Sequence, residues 1–140
     1  MRGAPAASRL RAVRMPVLLA AAGLGLAAML RTRDPHVSGS YGFCPFRSLT
    51  GLPCPGCGGL RAVNDLTRGD VVAAASSNAM TLLLVAAVFG LWVVWVVRRA
   101  AGDSEAVLVR VSTRAALAVL AAFAVFGVLR VTPWGAWLAP

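Results

Sequence analysis

All three cysteines of the chain fall in one stretch: Cys44, Cys54 and Cys57. The text around them is Cys44-Pro45-Phe46 and then Thr50-Gly51-Leu52-Pro53-Cys54-Pro55-Gly56-Cys57-Gly58-Gly59. A Cys-x-x-Cys pair with a third thiol nearby supports several chemistries. Cys54 and Cys57 have the spacing of a dithiol redox pair, with Cys44 as a third partner in a relay of mixed disulfides. That spacing ordinarily follows a strand in a β-α-β setting, which this sequence lacks. The same thiols, with His36 upstream, make a nominal Cys3His set of the kind that holds zinc tetrahedrally. Loop cysteines also staple, so a disulfide from Cys44 to one of the pair is a third reading. A fourth makes the loop a partner- or lipid-binding site in which Arg47 and Arg61 hold an anionic group.

Positioning these thiols requires a tight turn. Two prolines and four glycines between Gly51 and Gly59 rule out a strand or the middle of a helix. Pro55-Gly56 fits the centre of a type II turn with a positive φ at Gly56, which brings the flanking sulfurs together. From Leu60 to Leu66 the sequence permits a short helix, with Gly69 as its C-cap and Asp70 opening the next helix. Cys57 then stands at a helix N-terminus, where exposed N–H groups lower a thiol pKa, and Arg61 projects toward it one turn on. Asp65, four residues after Arg61, reads as that arginine's surface ion pair.

The rest of the chain is a membrane protein by composition. Of 140 residues, 59% are hydrophobic and 14% charged. A globular domain carries about 25% charged residues, and a small soluble fold cannot hide this much apolar surface. Disorder is excluded by the same numbers. The formal charge of +9 comes from 14 arginines against five acids. The arginines are dispersed and bracket apolar runs, with no basic patch interleaved with aromatics, so nucleic acid is not an expected partner.

Three uncharged runs stand out, and they predict an all-α integral membrane fold with three transmembrane helices and a Cys-rich turn and short interfacial helix before the second. The organisation expected is a basic tail over 1–14, a span over 15–30 with Pro16 in its first turn, and the cysteine loop over 31–78. A second span follows over 79–97, ending in Trp92, Trp95 and a basic stop at Arg98-Arg99. A basic loop over 98–114, a third span over 115–130 and an interfacial tail over 131–140 complete the chain. An uncleaved first helix is favoured over a signal peptide, because no small-x-small site follows the run. Arg2, Arg9, Arg11, Arg14, Arg98, Arg99, Arg110 and Arg114 would lie on one side, against Arg31, Arg33, Arg47, Arg61, Arg68 and Arg130. This favours a cytoplasmic N-terminus and an extracytoplasmic cysteine loop in the cell membrane. Asn78, a polar amide at a span's start, needs a partner either in helix packing or in the cysteine site.

The cysteine stretch resembles the bacterial membrane proteins grouped as domain-of-unknown-function family 2752. The residues that carry the resemblance are Cys44-Pro45, Thr50-Gly51, Cys54-Pro55-Gly56-Cys57-Gly58, Arg61-Ala62, Gly69 and Asn78, within residues 40 to 100. The chain departs at Leu60, where the family often has Thr, and at Ala79, where it often has the kink-forming Pro. The resemblance implies the architecture and the residue set but no reaction. With no phosphate loop, carboxylate pair, Ser/His/Asp set or charge inside a span, a non-enzymatic role leads. The expectation is an accessory membrane protein, in contact with the bilayer and with a protein partner or a second copy, whose cysteine loop forms a structural, partner-facing site. The alternative is thiol-disulfide or zinc-type metal handling through Cys54, Cys57 and Cys44.

Overall fold

The computed structural model describes residues 6–103, 105–109 and 112–138, with 6–12 and 136–138 described through their backbone. It is all-helical, and no strand occurs among the described residues. The elements are α1 (Ala6–Thr32), α2 (Pro45–Thr50), α3 (Gly59–Thr67), α4 (Val71–Ala100) and α5 (Thr113–Val131), followed by a 3-10 turn, Pro133–Leu138.

Three helical stretches, Val13–Thr32 of α1, α4 and α5, are long and apolar enough to cross a membrane. At most 11% of any of the three apolar windows is buried within the protein. Leu24, Leu83 and Leu120 point outward, as lipid-facing residues do. Water would not tolerate so much exposed hydrocarbon, so this is the surface of a multi-pass membrane protein.

Local chemistry sets the helix ends. The Asp70 carboxylate accepts from the Ala73 N–H at 2.8 Å and opens α4. Ser112 Oγ does the same for α5, accepting from Ala115 N–H at 3.2 Å. Gly69, at φ 81°, follows the end of α3 in the left-handed conformation, and the Asp70 N–H returns to the Asp65 carbonyl at 3.0 Å. The first helix differs from expectation, since it begins at Ala6 and carries Pro16 in its interior rather than in its first turn. Proline costs a helix its missing N–H bond. The buried Pro16 turns its own carbonyl to use, accepting the Trp92 indole N–H at 3.1 Å. Arg2 and Arg110, both counted for the orientation, lie outside the described residues.

The chain divides into two compact units. Among the described residues one takes 6–26 with 85–109, and the other takes 27–84 with 112–138. In the first, the Trp95 indole and the Arg99 guanidinium both donate to the Ala106 carbonyl, at 2.8 and 2.9 Å. Arg98 pairs with Asp103 at 2.9 Å. In the second, α3 is sewn to the last turn of α1. The buried Asn64 amide donates to Leu30 O at 2.7 Å, satisfying a terminal carbonyl that has no partner within its own helix. Arg31 donates to Thr67 O at 2.6 Å, and Arg68 bridges Asn64 Oδ1 and Asp34 Oδ2.

Candidate metal centre

The second unit builds the cysteine site from two reversals of the chain. Cys44 is the N-cap of α2 in an extended conformation, and Pro45 takes the first helical position. Thr50 Oγ1 donates back to Phe46 O at 2.7 Å and accepts from the Leu52 N–H. Gly51, at φ 71°, then turns the chain back, and Cys54 arrives beside Cys44. Over Cys54–Gly59 two turns follow directly, Cys57 N–H to Cys54 O at 3.1 Å and Gly59 N–H to Gly56 O at 3.0 Å. The positive φ belongs to Gly58 (82°) and not to Gly56, which corrects the type II turn expected at Pro55-Gly56. Gly58 is the N-cap of α3, so the left-handed residue sits where the chain swings into the helix.

The result is a cluster of three sulfurs. Cys54 Sγ lies 2.9 Å from Cys57 Sγ and 3.5 Å from Cys44 Sγ, and all three lie within 4.8 Å of one another. All are free thiols. Two buried side chains hold the turn that carries them. Asn78 Nδ2 donates to Pro55 O at 2.9 Å and to Cys57 O at 3.0 Å. Arg130 Nη1 donates to Cys54 O at 3.1 Å and to Cys57 O at 2.9 Å. Asn78 breaks α4 to do this. Its backbone is extended (φ −168°, ψ 97°), and its Oδ1 caps the resumed helix by accepting from the Thr81 N–H at 2.9 Å. The kink therefore forms with Ala79 in the place where the family often has proline, because the asparagine side chain caps the second segment itself. Close approach completes the seat. A Cβ at Gly127 of α5 would stand 3.3 Å from Pro55 Cγ, so glycine admits the proline.

Electrostatics separates the thiols. Burial, and then the hydrogen bond with the Cys54 sulfur, pushes the Cys57 thiol up to about 11. The backbone N–H of Arg47 holds Cys44 below the ordinary thiol value. The activated Cys57 expected from its place before a helix is thus reversed, since burial outweighs the helix terminus.

His36 does not join the sulfurs. Its Nδ1 lies 2.8 Å from Asp34 Oδ1 and its Nε2 lies 3.3 Å from Asp65 Oδ1. Asp65 is buried, accepts from Ser77 Oγ at 2.8 Å and makes no ion pair with Arg61 among the described residues. It sits on the inward face of α3 with Ala62, while Arg61 Nε donates to Pro35 O at 3.3 Å instead of reaching Cys57. Arg61 and Arg47 do share a groove of about 320 Å³ with Cys44 and Cys57.

Sequence reasoning missed Arg130 and Asn64. Arg130 looked like an ordinary basic flank, and its only signal was its place at the end of an uncharged run. It is 2% exposed, lies over the Phe126 ring at 5.3 Å, and keeps Nε and Nη2 without a partner among the described residues.

Residues 44–93 match the family model Protein of unknown function (DUF2752). The DUF2752 match takes in the three cysteines, α2, α3 and the break at Asn78, and leaves Arg130 outside it. The resemblance expected from the sequence holds over this stretch. No curated protein and no solved structure matches the chain.

Proposed function

We propose that this chain is a non-catalytic membrane protein whose cysteine loop binds one metal ion through Cys44, Cys54 and Cys57. The observation that carries the proposal is the convergence of three free thiols within 4.8 Å. Zinc–thiolate bonds of about 2.3 Å place tetrahedral ligands about 3.8 Å apart. Adjustments of about an ångström at each sulfur reach that spacing from the separations observed. Thiolates select soft and borderline ions, which makes a zinc-type ion the first candidate. With His36 engaged by two carboxylates, the protein supplies three ligands, and the groove beside Cys44 and Cys57 gives a fourth one access from outside.

The arginine distribution favours a cytoplasmic N-terminus, with the cysteine loop on the opposite, oxidising side. Ligation there would protect three neighbouring thiols from pairing. Full-length protein purified in detergent under reducing conditions should carry about one zinc or cadmium ion per chain, and Cys54→Ser should lose it. A metal-free wild type sinks the proposal.

The 2.9 Å approach of Cys54 to Cys57 favours a second reading, a thiol–disulfide pair. Forming that disulfide removes two electrons and two protons, which an external disulfide or quinone would accept. A mixed disulfide trapped on Cys54 in Cys57→Ser, with no bound metal in the wild type, would select it.

A further inference from the structure

A basic residue near the end of a span ordinarily snorkels to the membrane surface. Arg130 does the opposite. It lies in the last turn of α5, 2% exposed, and turns inward to the carbonyls of the two residues that bracket the Pro55-Gly56 turn. A neutral donor would serve those two carbonyls equally well. The guanidinium adds a positive charge, and its Nε and Nη2 donors have no partner among the described residues. No carboxylate pairs with it there either: Asp34 and Asp65 face His36, and Asp103 faces Arg98. An unbalanced buried cation with unsatisfied donors is costly, and it is retained where an anion completes it.

We infer that Arg130 is the countercharge of the metal-loaded cysteine centre, and that it sets the centre for a divalent ion. The inference rests on the metal reading above. A divalent ion that displaces three thiol protons leaves a cluster with one net negative charge, which Arg130 cancels. A trivalent metalloid on the same three thiolates is neutral and leaves the arginine unbalanced. A monovalent ion leaves a net negative charge even with the arginine present. Among these, with a neutral fourth ligand, only the divalent cluster forms with Arg130 a unit without net charge.

This assignment gives Arg130 substitutions an effect whose sign depends on the ion. Full-length protein in lipid nanodiscs, reduced and stripped of metal, is titrated with cadmium and separately with arsenite, following thiolate-to-metal ultraviolet absorption. Arg130→Gln keeps a hydrogen-bond donor for the carbonyls and removes the charge. It should weaken cadmium binding by roughly 10- to 100-fold and leave arsenite binding unchanged or tighter. Arg130→Lys restores the charge and should recover most of the cadmium affinity. Equal loss of both ions in Arg130→Gln means that the arginine only shapes the turn, and this overturns the inference while leaving the metal site standing. Undiminished cadmium affinity in Arg130→Gln overturns it as well. A wild-type chain that binds neither ion overturns the metal reading, and the countercharge with it.

Discussion

Cys57 and Cys44 occupy opposite electrostatic surroundings although both face the same groove. Burial keeps the Cys57 proton on up to about pH 11, while the Arg47 N–H favours the Cys44 thiolate. Because the thiolate is the nucleophile, iodoacetamide at pH 8 should modify Cys44 well before Cys57 in metal-free protein. Peptide mass spectrometry over a time course reads the order directly, and Cys57 reacting first would contradict the burial. The same shift has a stability consequence. The folded-state value of Cys57 lies above its ordinary 9.0, so its contribution to stability is present below pH 9 and is lost as pH rises toward 11. Metal-free protein should therefore melt at progressively lower temperature across that window, and Cys57→Ala should flatten the loss. Cysteine spacing made the three thiols legible as a group, but their ranking depends on which sulfur the fold buries. His36 was misplaced for a related reason: sequence proximity does not show that its ring lies between two carboxylates and away from the sulfurs.

The elements around the site depend on two side chains that do backbone work. Asn78 makes three hydrogen bonds, two holding the cysteine turn and one capping the resumed α4. Asn78→Ala orphans the Pro55 carbonyl and should cost about 1–3 kcal/mol of stability in detergent. Asn78→Asp keeps the acceptor for Thr81 and loses both donors, so it should retain the break in α4 and still release the turn. Thermal melts and metal titration of the two variants separate capping from turn holding. On α5, Gly127→Val puts a branched side chain against Pro55 and should destabilise by about 1–3 kcal/mol through overpacking. The three apolar helices, the cap at Asp70 and the glycine after α3 were readable from uncharged runs and end signals. The early start of α1 was not, because an uncharged run marks a membrane span and not the arginine-bearing helical turns that precede it. Asp65 illustrates the same limit, since i+4 spacing to Arg61 fixes a helix neighbour but not the face that packs inward.

For the whole molecule, the central question is which side of the membrane carries the cysteine loop. The sequence favours one side by a narrow difference in arginines, and Arg2 and Arg110 both contribute to it. With the N-terminus in the cytoplasm, a membrane-impermeant maleimide applied to intact, reduced and chelator-treated cells should label Cys44. Labelling only after permeabilisation would reverse the orientation and place the thiols in a reducing compartment. Arg130 bears on the molecule in time as well as in space. It lies 76 and 73 residues after the Cys54 and Cys57 whose carbonyls it holds. At roughly 5–20 residues per second, the ribosome delivers the cysteine turn about 4 to 15 s before the side chain that secures it. For most of that interval the nascent turn has Asn78 but lacks its second clamp. The second clamp thus waits on insertion of the last helix, and a chain truncated after Ser112 should reach the membrane with its cysteine turn held by Asn78 alone.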